Sequence, residues 1–548
     1  MAMAAAKERQ LDRLLAEVPG ETPFAARPAM GHASHAALRS CCLSVALVVT
    51  GAGTMLGAVP LREAAAGIRQ AQEPQGTIEW CEAHGPASVT SISADVVNLR
   101  CFDFDDAACA KLRRFTKLER LDLGGKDVND RGYSVALKIS DAGVRSLGAL
   151  VNLRWLSLAT CHDVKGEALQ ALEGLPRLEH LDLTYSGVES PAIERLARLP
   201  SLRSLVLSSC MNFHGHSLAA VASSPGLRRL ELRACTTLSA VDVMHLVKLK
   251  ELRHLDLRDC QGRFRGQREF LPGPGGEAPP EPMAEDGIGI TDDVVAAIAA
   301  MPLETLLLGG SESLTDAIGG PIAKMTTLRC LDVSNLPSVT GVLLAKIPDG
   351  LEALALDQNP QFDGEALLRL PPLASLRELG LSGIAGLDRA TLEALLANKQ
   401  LTSLRLGGHA TWGKGGAPAK KSALRSADLA ALATQKQLRS LELHASMVDE
   451  KAMIIVAALP QLTDLDISRV NLAAHDIAPL AACASLRSLK LAHAQLLDVR
   501  TLGAIPGTQL RELDLYGTNV PSARIREAAR AWKGCTITMP DGRRWRAP

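Results

Sequence analysis

The chain has few aromatic residues and no excess of charge of either sign. Of its 548 residues 3% are aromatic, and 60 Lys and Arg balance 60 Asp and Glu. Balanced charge gives no strong field for attracting nucleic acid or an acidic membrane, so we do not expect nucleic acid as a partner. The scarcity of aromatic rings leaves few rigid anchors for a tight interface.

Motifs of common enzyme and metal sites are absent as well. The chain contains no G-x-x-x-x-G-K-[ST], H-E-x-x-H or G-x-S-x-G. Gly51-x-Gly53 follows no strand that would make it a phosphate loop. The 12 cysteines form no C-x-x-C pair. We therefore expect no catalytic residues, no metal site and no cofactor, and buried free thiols rather than disulfides or zinc ligands.

The chain is instead built on a repeated phrase, Leu-x-x-Leu-x-Leu. The phrase returns usually every 24 or 25 residues, with longer intervals at three places. A degenerate copy with Val97 and Leu99 comes before the first full one, so the array is predicted to start near residue 91. The full copies begin at Leu118, Leu153, Leu178, Leu202, Leu227, Leu252, Leu303, Leu328, Leu351, Leu376, Leu401, Leu438, Leu462, Leu486 and Leu510.

Each copy predicts a strand followed by a short helix. The leucines have strand spacing, in which the residue between the second and third leucine points to the opposite face. About ten residues later the apolar residues have helical spacing, as in Ile193, Leu196 and Leu199. One such unit cannot cover its own apolar side, so the units must stack into a solenoid with continuous rows of buried leucine.

This pattern resembles the leucine-rich repeat family, whose signature is L-x-x-L-x-L-x-x-N/C-x-L. The Asn/Cys position, whose side chain can turn inward to bond the backbone, is occupied by Cys161, Cys210, Cys235, Cys260 and Asn359. Helical segments that open as Ile290-Thr291-Asp292 does are similar to the cysteine-containing subclass and to long bacterial arrays, although Thr and Asp are also ordinary helix N-caps. The resemblance implies an α/β leucine-rich-repeat solenoid (a horseshoe) of about 15–16 repeats, with a parallel β-sheet on the concave face and short helices on the convex face.

The predicted domain organisation places this solenoid at residues 91–518. A disordered or weakly helical tail (1–37), an apolar segment (38–59) and a linker with an N-terminal cap (60–90) precede it, and a C-terminal cap (519–548) follows. Insertions near 124–138, 261–287 and 408–424 fall between strand and helix, so they are expected on one rim. They present either partner anchors or loops that tolerate extra residues at little cost.

The apolar segment from Cys41 to Val59 carries no charge and follows Arg39. Its length lies at the lower edge of what spans a bilayer. If Met30 is the true start, the same residues have the order of a secretory signal; a third interpretation is a buried or disordered apolar stretch. We favour an exported or membrane-anchored protein over a cytoplasmic one, with residues 41–59 as the candidate tether.

Candidate partner-binding residues come from the sheet and from the insertions. Of the fifteen residues between a second and a third leucine, eight are acidic and two are basic. We therefore predict an exposed, weakly negative face that suits a partner with scattered basic groups. The candidates are Trp155, His180, Asp182, Tyr185, Arg229, Glu231, His254, Asp256, Phe264, Arg265, Phe270, Trp412, Asp466 and Asp514.

The sequence favours a non-catalytic, monomeric protein–protein interaction scaffold that binds a protein partner through the concave face and the insertion-bearing rim. One alternative is a substrate-recognition subunit or secreted effector linked to ubiquitin ligase machinery, for which residues 1–37 lack the apolar pattern of an adaptor-binding domain. Another is an enzyme with a grafted site at His180 and Asp182 or at His254 and Asp256. No third ligand or nucleophile completes either pair, so we prefer an ordinary solvated strand face.

Overall fold

The structure is a computed structural model that describes residues 80–124, 138–260, 289–408, 424–446, 449–496, 503–505 and 509–548. The predicted tail, the apolar segment and most of the three insertions lie outside these ranges. The candidate residues Phe264, Arg265, Phe270 and Trp412 lie outside them too.

Nineteen of the described strands form one sheet, and β16 and β18 form a second, two-stranded one. In the large sheet, neighbours pair in parallel and in chain order from β1 to β20, and β21 closes it antiparallel to β20. The strands β1 to β21 are Cys81–His84, Asn98–Phe102, Arg120–Asp122, Trp155–Ser157, His180–Asp182, Ser204–Val206, Arg229–Glu231, His254–Asp256, Thr305–Leu307, Cys330–Asp332, Ala353–Ala355, Glu378–Gly380, Ser403–Arg405, Ser440–Glu442, Asp464–Asp466, Asn471–Leu472, Ser488–Lys490, Gln495–Leu496, Glu512–Asp514, Thr536–Thr538 and Arg544–Arg546.

The second leucine of each copy is in register with the second leucine of the next. Leu121 pairs with Leu156, Leu156 with Leu181, and the row continues without a shift to Leu513 and Ile537. These leucines are buried in one core cluster with helix residues such as Ile193. One side of the sheet is therefore covered by leucine rows and helices, as the repeat predicts, and we call the opposite side the open face.

Short helices follow the strands. The α-helices, α1 to α14, are Gly85–Ser88, Asp106–Lys111, Asp141–Leu147, Ser190–Leu196, Leu218–Val221, Ala240–Met244, Asp292–Ile298, Gly319–Ala323, Gly341–Leu344, Gly364–Leu367, Arg389–Leu395, Glu450–Ala457, Ala474–Ile477 and Ser522–Ala528. The 3₁₀ turns are Val89–Ser91, Leu112–Arg114, Glu167–Gly174, Gly215–Ser217, His245–Lys248, Asp316–Ile318, Asp428–Thr434, Ala478–Ala482 and Ala529–Ala531. Within the described ranges, none of the helices is long and apolar enough to cross a membrane.

Aspartates at helix starts connect one coil to the next. Ser140 caps α3 by accepting a hydrogen bond from the Ala142 N–H, as Ser at this position predicts. Asp292 at the start of α7 accepts bonds from both the backbone N–H (2.9 Å) and the hydroxyl (2.6 Å) of Thr315 in the following coil. The Ser/Thr-Asp motif therefore supplies links between coils as well as caps.

The turn after each strand also binds the preceding coil. The Cys210, Cys235 and Cys260 thiols lie 3.0, 3.1 and 2.9 Å from the carbonyls of Leu183, Leu207 and Leu232, and Asn359 donates to the Val333 carbonyl at 2.9 Å. The inward orientation expected for these side chains is observed. Burial raises the pKa of the Cys210 thiol to about 11. The ten described cysteines are free, and all except Cys81 are buried.

Atypical units stand at both ends of the described sheet. Strand β1 extends it on the N-terminal side of the degenerate copy. At the other end, the fully buried Trp532 follows α14. Strand β21 (Arg544–Arg546) then pairs antiparallel with β20.

Candidate functional site

Two columns of side chains stand on the open face. The inner column consists of the residues between the second and third leucines, and the outer column of the residues just before the second leucine. Residues two apart on a strand share a face, and parallel neighbours lie about 4.8 Å apart. Residues distant in sequence therefore become lateral neighbours, such as His180 and Ser204, or Asp182 and Val206.

The middle of the inner column is buried, which corrects the expectation of an exposed face. Asp256 and Asp332 are 1% and 2% exposed, and His254 is 7% exposed. The cause is Arg258, which bonds Asp256 at 3.0 and 2.6 Å and lies 3.7 Å from Asp332. His254 and Asp256 are consequently parts of a packed polar layer and do not form a solvated pair.

A second buried ion pair crosses a whole strand. Arg405 Nη2 lies 2.6 Å from the Asp357 carboxylate, although β12 runs between their strands. Gly380 of β12 makes this possible, because a Cβ there would lie 2.0 Å from Arg405 Nη2 and 2.2 Å from Asp357 Oδ2. Burial lowers the pKa of the Arg405 guanidinium, but the hydrogen-bonded Asp357 and the field of Glu442 outweigh burial and raise it. Arg405 is therefore a fixed cation.

Between these two ion pairs the face is apolar. Leu307, Cys330, Ala353 and Ala355 form a buried cluster separate from the main core. The repeat predicts which residues of each strand lie on the open face. It does not predict that small and apolar side chains from the three neighbouring strands β9, β10 and β11 contact one another.

Aromatic rings gather on the N-terminal strands of the open face. Trp155 stacks on His180 with ring centres 5.1 Å apart and an angle of 2°, and Trp80 meets Trp155 edge-on at 5.7 Å. The Arg100 guanidinium lies 4.8 Å from the centre of the Trp80 ring and donates to Asp122 at 2.9 Å. Beyond the strand, His162 and Tyr185 are in edge contact at 4.6 Å. Sequence analysis did not include Trp80 and Arg100 among the candidate site residues, because both lie before Leu118, where the first full copy of the repeat begins.

Asp182 lies between these aromatic pairs along its strand. Its Oδ1 accepts bonds from the Thr184 N–H (2.9 Å) and hydroxyl (2.6 Å), and its Oδ2 accepts one long bond from Ser157 (3.3 Å). Burial raises the pKa of the Asp182 carboxyl, and the field of Glu231 adds to this increase. His180 is turned to Ser204, whose hydroxyl lies 2.8 Å from Nδ1.

Acids dominate the C-terminal strands of the face. Burial raises the pKa of Glu442 to about 7 in spite of the opposing field of Arg405, and burial also raises the pKa of Asp514. Asp466, Lys490 and Asp514 are half-buried neighbours on β15, β17 and β19. This part of the face keeps the negative character that the sequence predicts.

A polar recess occupies the edge where β7 to β9 begin. Arg253 lies 3.8 Å from Glu251 and 4.0 Å from Glu304, and the Arg229 guanidinium is paired with Glu231. Across the described part of the chain, no three His, Cys, Asp or Glu side chains are grouped as a metal site would require. The recess is lined by Arg228, Arg229, Glu251, Arg253, His254, Glu304 and Thr305.

Comparison with known proteins gives likeness of fold only. No family model matches the chain, and no curated protein does. Similar solved structures include an internalin (InlF) from Listeria monocytogenes str. 4b F2365, with 20% identity, 78% of this chain and 94% of that chain covered, and a TM-score of 0.36. A complex of TLR13 with ssRNA13 follows at 17% identity, with 79% and 60% covered and a TM-score of 0.35.

The yeast Rad7–Elc1 complex matches at 20% identity, with 67% of this chain and 79% of that chain covered and a TM-score of 0.42. Because these TM-scores are all below 0.5, assignment of the fold rests on this chain's own repeats. Its leucine triplets, the unshifted parallel register and the buried leucine rows identify the fold as a leucine-rich-repeat solenoid.

Proposed function

We propose that this chain is a non-catalytic scaffold that holds a protein partner on the open face of its sheet. The observation that carries the proposal is the state of the charged side chains there. Arg258, Arg405, Asp332 and Asp357 are buried and mutually paired, so their positions are set before any partner arrives. Side chains that are already ordered lose less conformational entropy on binding.

The partner that suits this face carries basic groups. The inner column holds two basic residues, Arg405 and Lys490, against eight acidic ones: Asp122, Asp182, Glu231, Asp256, Asp332, Glu442, Asp466 and Asp514. Complementary charge speeds encounter and selects the partner more than it adds affinity. The proposal includes the insertion-bearing rim near 124–138, 261–287 and 408–424, because the sequence predicts these insertions on one rim, from which they can contact the same partner.

The experiment compares charge reversal on the two sides of the solenoid. Asp464 and Glu512 are exposed outer-column residues, whereas Glu365 and Glu450 are exposed on α10 and α12. Proteins captured from the source cells are quantified for the wild type, Asp464→Lys/Glu512→Lys and the matched helix-side variant Glu365→Lys/Glu450→Lys. We expect the partner to be lost with the first variant and kept with the second. Equal capture by all three proteins would refute binding through the open face.

Deleting residues 262–284 tests the rim separately. We expect the melting temperature to remain close to that of the wild type, because the sequence predicts an insertion between strand and helix, and such insertions change the free energy of folding little. Partner capture is expected to fall. A deletion that leaves capture unchanged would remove the middle insertion from the binding surface.

A further inference from the structure

Asp182 has no Lys or Arg at ion-pair distance among the residues that the structure describes. Three other acids of the inner column, on β3, β7 and β8, each have such a partner: Asp122 pairs with Arg100, Glu231 with Arg229 and Asp256 with Arg258. Around Asp182, the described residues contribute hydroxyl and amide donors from Ser157 and Thr184, but no Lys or Arg within ion-pair distance. A half-buried carboxylate without a counter-charge is costly to desolvate.

The comparable acids at the far end of the face are better compensated. Asp466 and Asp514 also lack a direct ion pair among the described residues, but Asp466 interacts with Arg469 and Asp514 with Lys490 and His493. Their carboxylates therefore serve as controls, since they share the column and the charge of Asp182 but have basic neighbours.

The surroundings of Asp182 along its strand are aromatic on both sides. The Trp155–His180 stack precedes it, and the His162–Tyr185 pair follows it. Trp155 and His180 are half-buried, His162 is exposed and Tyr185 is 40% exposed. Partly open rings beside an anion offer apolar surface for the stem of a long basic side chain and a π-face for its charge.

The chain itself contains a working example of this arrangement three strands away. Arg100 places its guanidinium 4.8 Å from the centre of the Trp80 ring and donates to Asp122 at 2.9 Å. There, an outer-column tryptophan and an inner-column aspartate hold one guanidinium between them. Trp155 and Asp182 are also a tryptophan and an aspartate of this face, but they lie on the adjacent strands β4 and β5, and no guanidinium of the described residues lies between them.

We propose that Asp182 is the receptor for one arginine or lysine side chain of the protein partner, held against Trp155, His180 and Tyr185. This inference rests on the proposed function of the open face. Asp182 Oδ2, which accepts one long bond at present, receives the new N–H donor. Arginine fits better than lysine, because its planar guanidinium bonds a carboxylate and stacks on aromatic rings at once.

The test uses the full-length chain and three fluorescein-labelled peptides of equal length in a Gly-Ser background. Two positions carry arginine in the first, its neutral isostere citrulline in the second and glutamate in the third. Fluorescence anisotropy at about 0.15 M salt limits long-range attraction between exposed charges. We expect the arginine peptide to bind more tightly than the other two.

The variants locate that preference. Asp182→Asn should weaken the arginine peptide by about tenfold, equivalent to about 1.4 kcal/mol, and leave the citrulline peptide unchanged. Asp514→Asn, the matched control, should weaken it by less than about twofold, because Lys490 already balances that acid. Tyr185→Asn is a second test of the site, because it removes an aromatic ring. Asn tolerates the left-handed conformation of this residue (φ 56°), and the variant should weaken binding of the arginine peptide about threefold.

The outcomes separate this inference from the proposed function. Equal losses for Asp182→Asn and Asp514→Asn would indicate general attraction to an acidic face. That result would refute the arginine site at Asp182, which we call the subsite, and would leave the scaffold proposal intact. The same binding of arginine and citrulline peptides would also overturn the subsite. If Asp464→Lys/Glu512→Lys captured the partner as well as the wild type does, both the scaffold proposal and the subsite would be refuted.

Discussion

Asp182 and Asp357 are both aspartates of the open face, yet their environments predict opposite effects on stability. Asp357 neutralises Arg405, whose side chain is 5% exposed, whereas Asp182 has hydroxyl and amide donors and a raised pKa caused first by burial. Asp357→Asn leaves a buried guanidinium without its carboxylate, so we expect a loss of about 3–5 kcal/mol in the free energy of unfolding.

Asp182→Asn should leave that free energy unchanged or raise it by up to about 1 kcal/mol, because the amide keeps the acceptor for Thr184 and removes a desolvated charge. Urea denaturation of the two variants measures the contrast. If Asp182→Asn destabilised the protein as much as Asp357→Asn does, the Asp182 carboxylate would be needed for folding, and it would not be available to bind a partner.

Glu442 gives the open face a dependence on pH. Burial raises its pKa from 4.5 to about 7, so between these values the folded chain holds a proton that the unfolded chain has released. The unfolding free energy therefore falls as pH rises through this window, by on the order of 1–3 kcal/mol. Glu442→Gln, which mimics the protonated form, should be more stable than the wild type at pH 8 and nearly equal to it at pH 5. A constant difference in urea denaturation at both pH values would contradict the raised pKa.

At the scale of the element, the turn after each strand uses a left-handed residue that is seldom glycine. Thr160, Tyr185, Ala234 and Asp259 have φ between 56° and 66°, and the N–H of Ala234 donates to the Arg258 carbonyl of the next coil at 2.8 Å. A non-glycine residue is strained by about 1–2 kcal/mol in this conformation. Glycine avoids that strain, but it loses about 0.5–1 kcal/mol more conformational entropy than alanine when the chain folds. Ala234→Gly should therefore raise the unfolding free energy by up to about 1 kcal/mol.

Gly310 provides the opposite control at the equivalent turn. It has φ +79°, and a Cβ there would lie 2.4 Å from Asp259 Oδ1. Gly310→Ala should lower the unfolding free energy, and thermal melts of both variants measure the two signs. If Gly310→Ala stabilised the protein, or Ala234→Gly destabilised it, the left-handed backbone conformation would not be what determines stability at this turn.

The elements could be predicted from sequence because their determinants are local and repeated. The leucine triplets place every strand from β3 to β15, apart from its ends, and Ser140-Asp141 marks a helix start. The open face could be predicted only as a list of side chains. Arg405 and Asp357 are 48 residues apart, and their contact depends on Gly380 being between them. No local sequence pattern therefore predicts this ion pair. The same holds for Trp80 with Trp155, whose rings meet across two intervening strands.

For the whole molecule, each coil depends on its two neighbours and on little else. Every main-sheet strand from β2 to β20 pairs with the strands directly before and after it in the sheet, and Trp532 is buried in the same core cluster as the leucine rows. Stability in such a stack is close to a sum of units and interfaces, so a defect at one end spreads only a short distance. This differs from a globular domain, in which a single core substitution weakens all elements together.

Trp532→Ala tests this at the C-terminal end. Trp532 is fully buried, and truncating a buried tryptophan costs about 3–5 kcal/mol. Hydrogen exchange measured by mass spectrometry should rise in peptides covering β17, β19 and β20 and stay close to wild type in peptides covering β6 to β8, because those strands keep both neighbours. Leu230→Ala, a truncation in the middle of the leucine row, serves as the matched control and should raise exchange in β6 to β8 instead. A uniform rise along the chain in both variants would show that the coils unfold as one cooperative unit, and the binding face would then be as stable at its ends as at its centre.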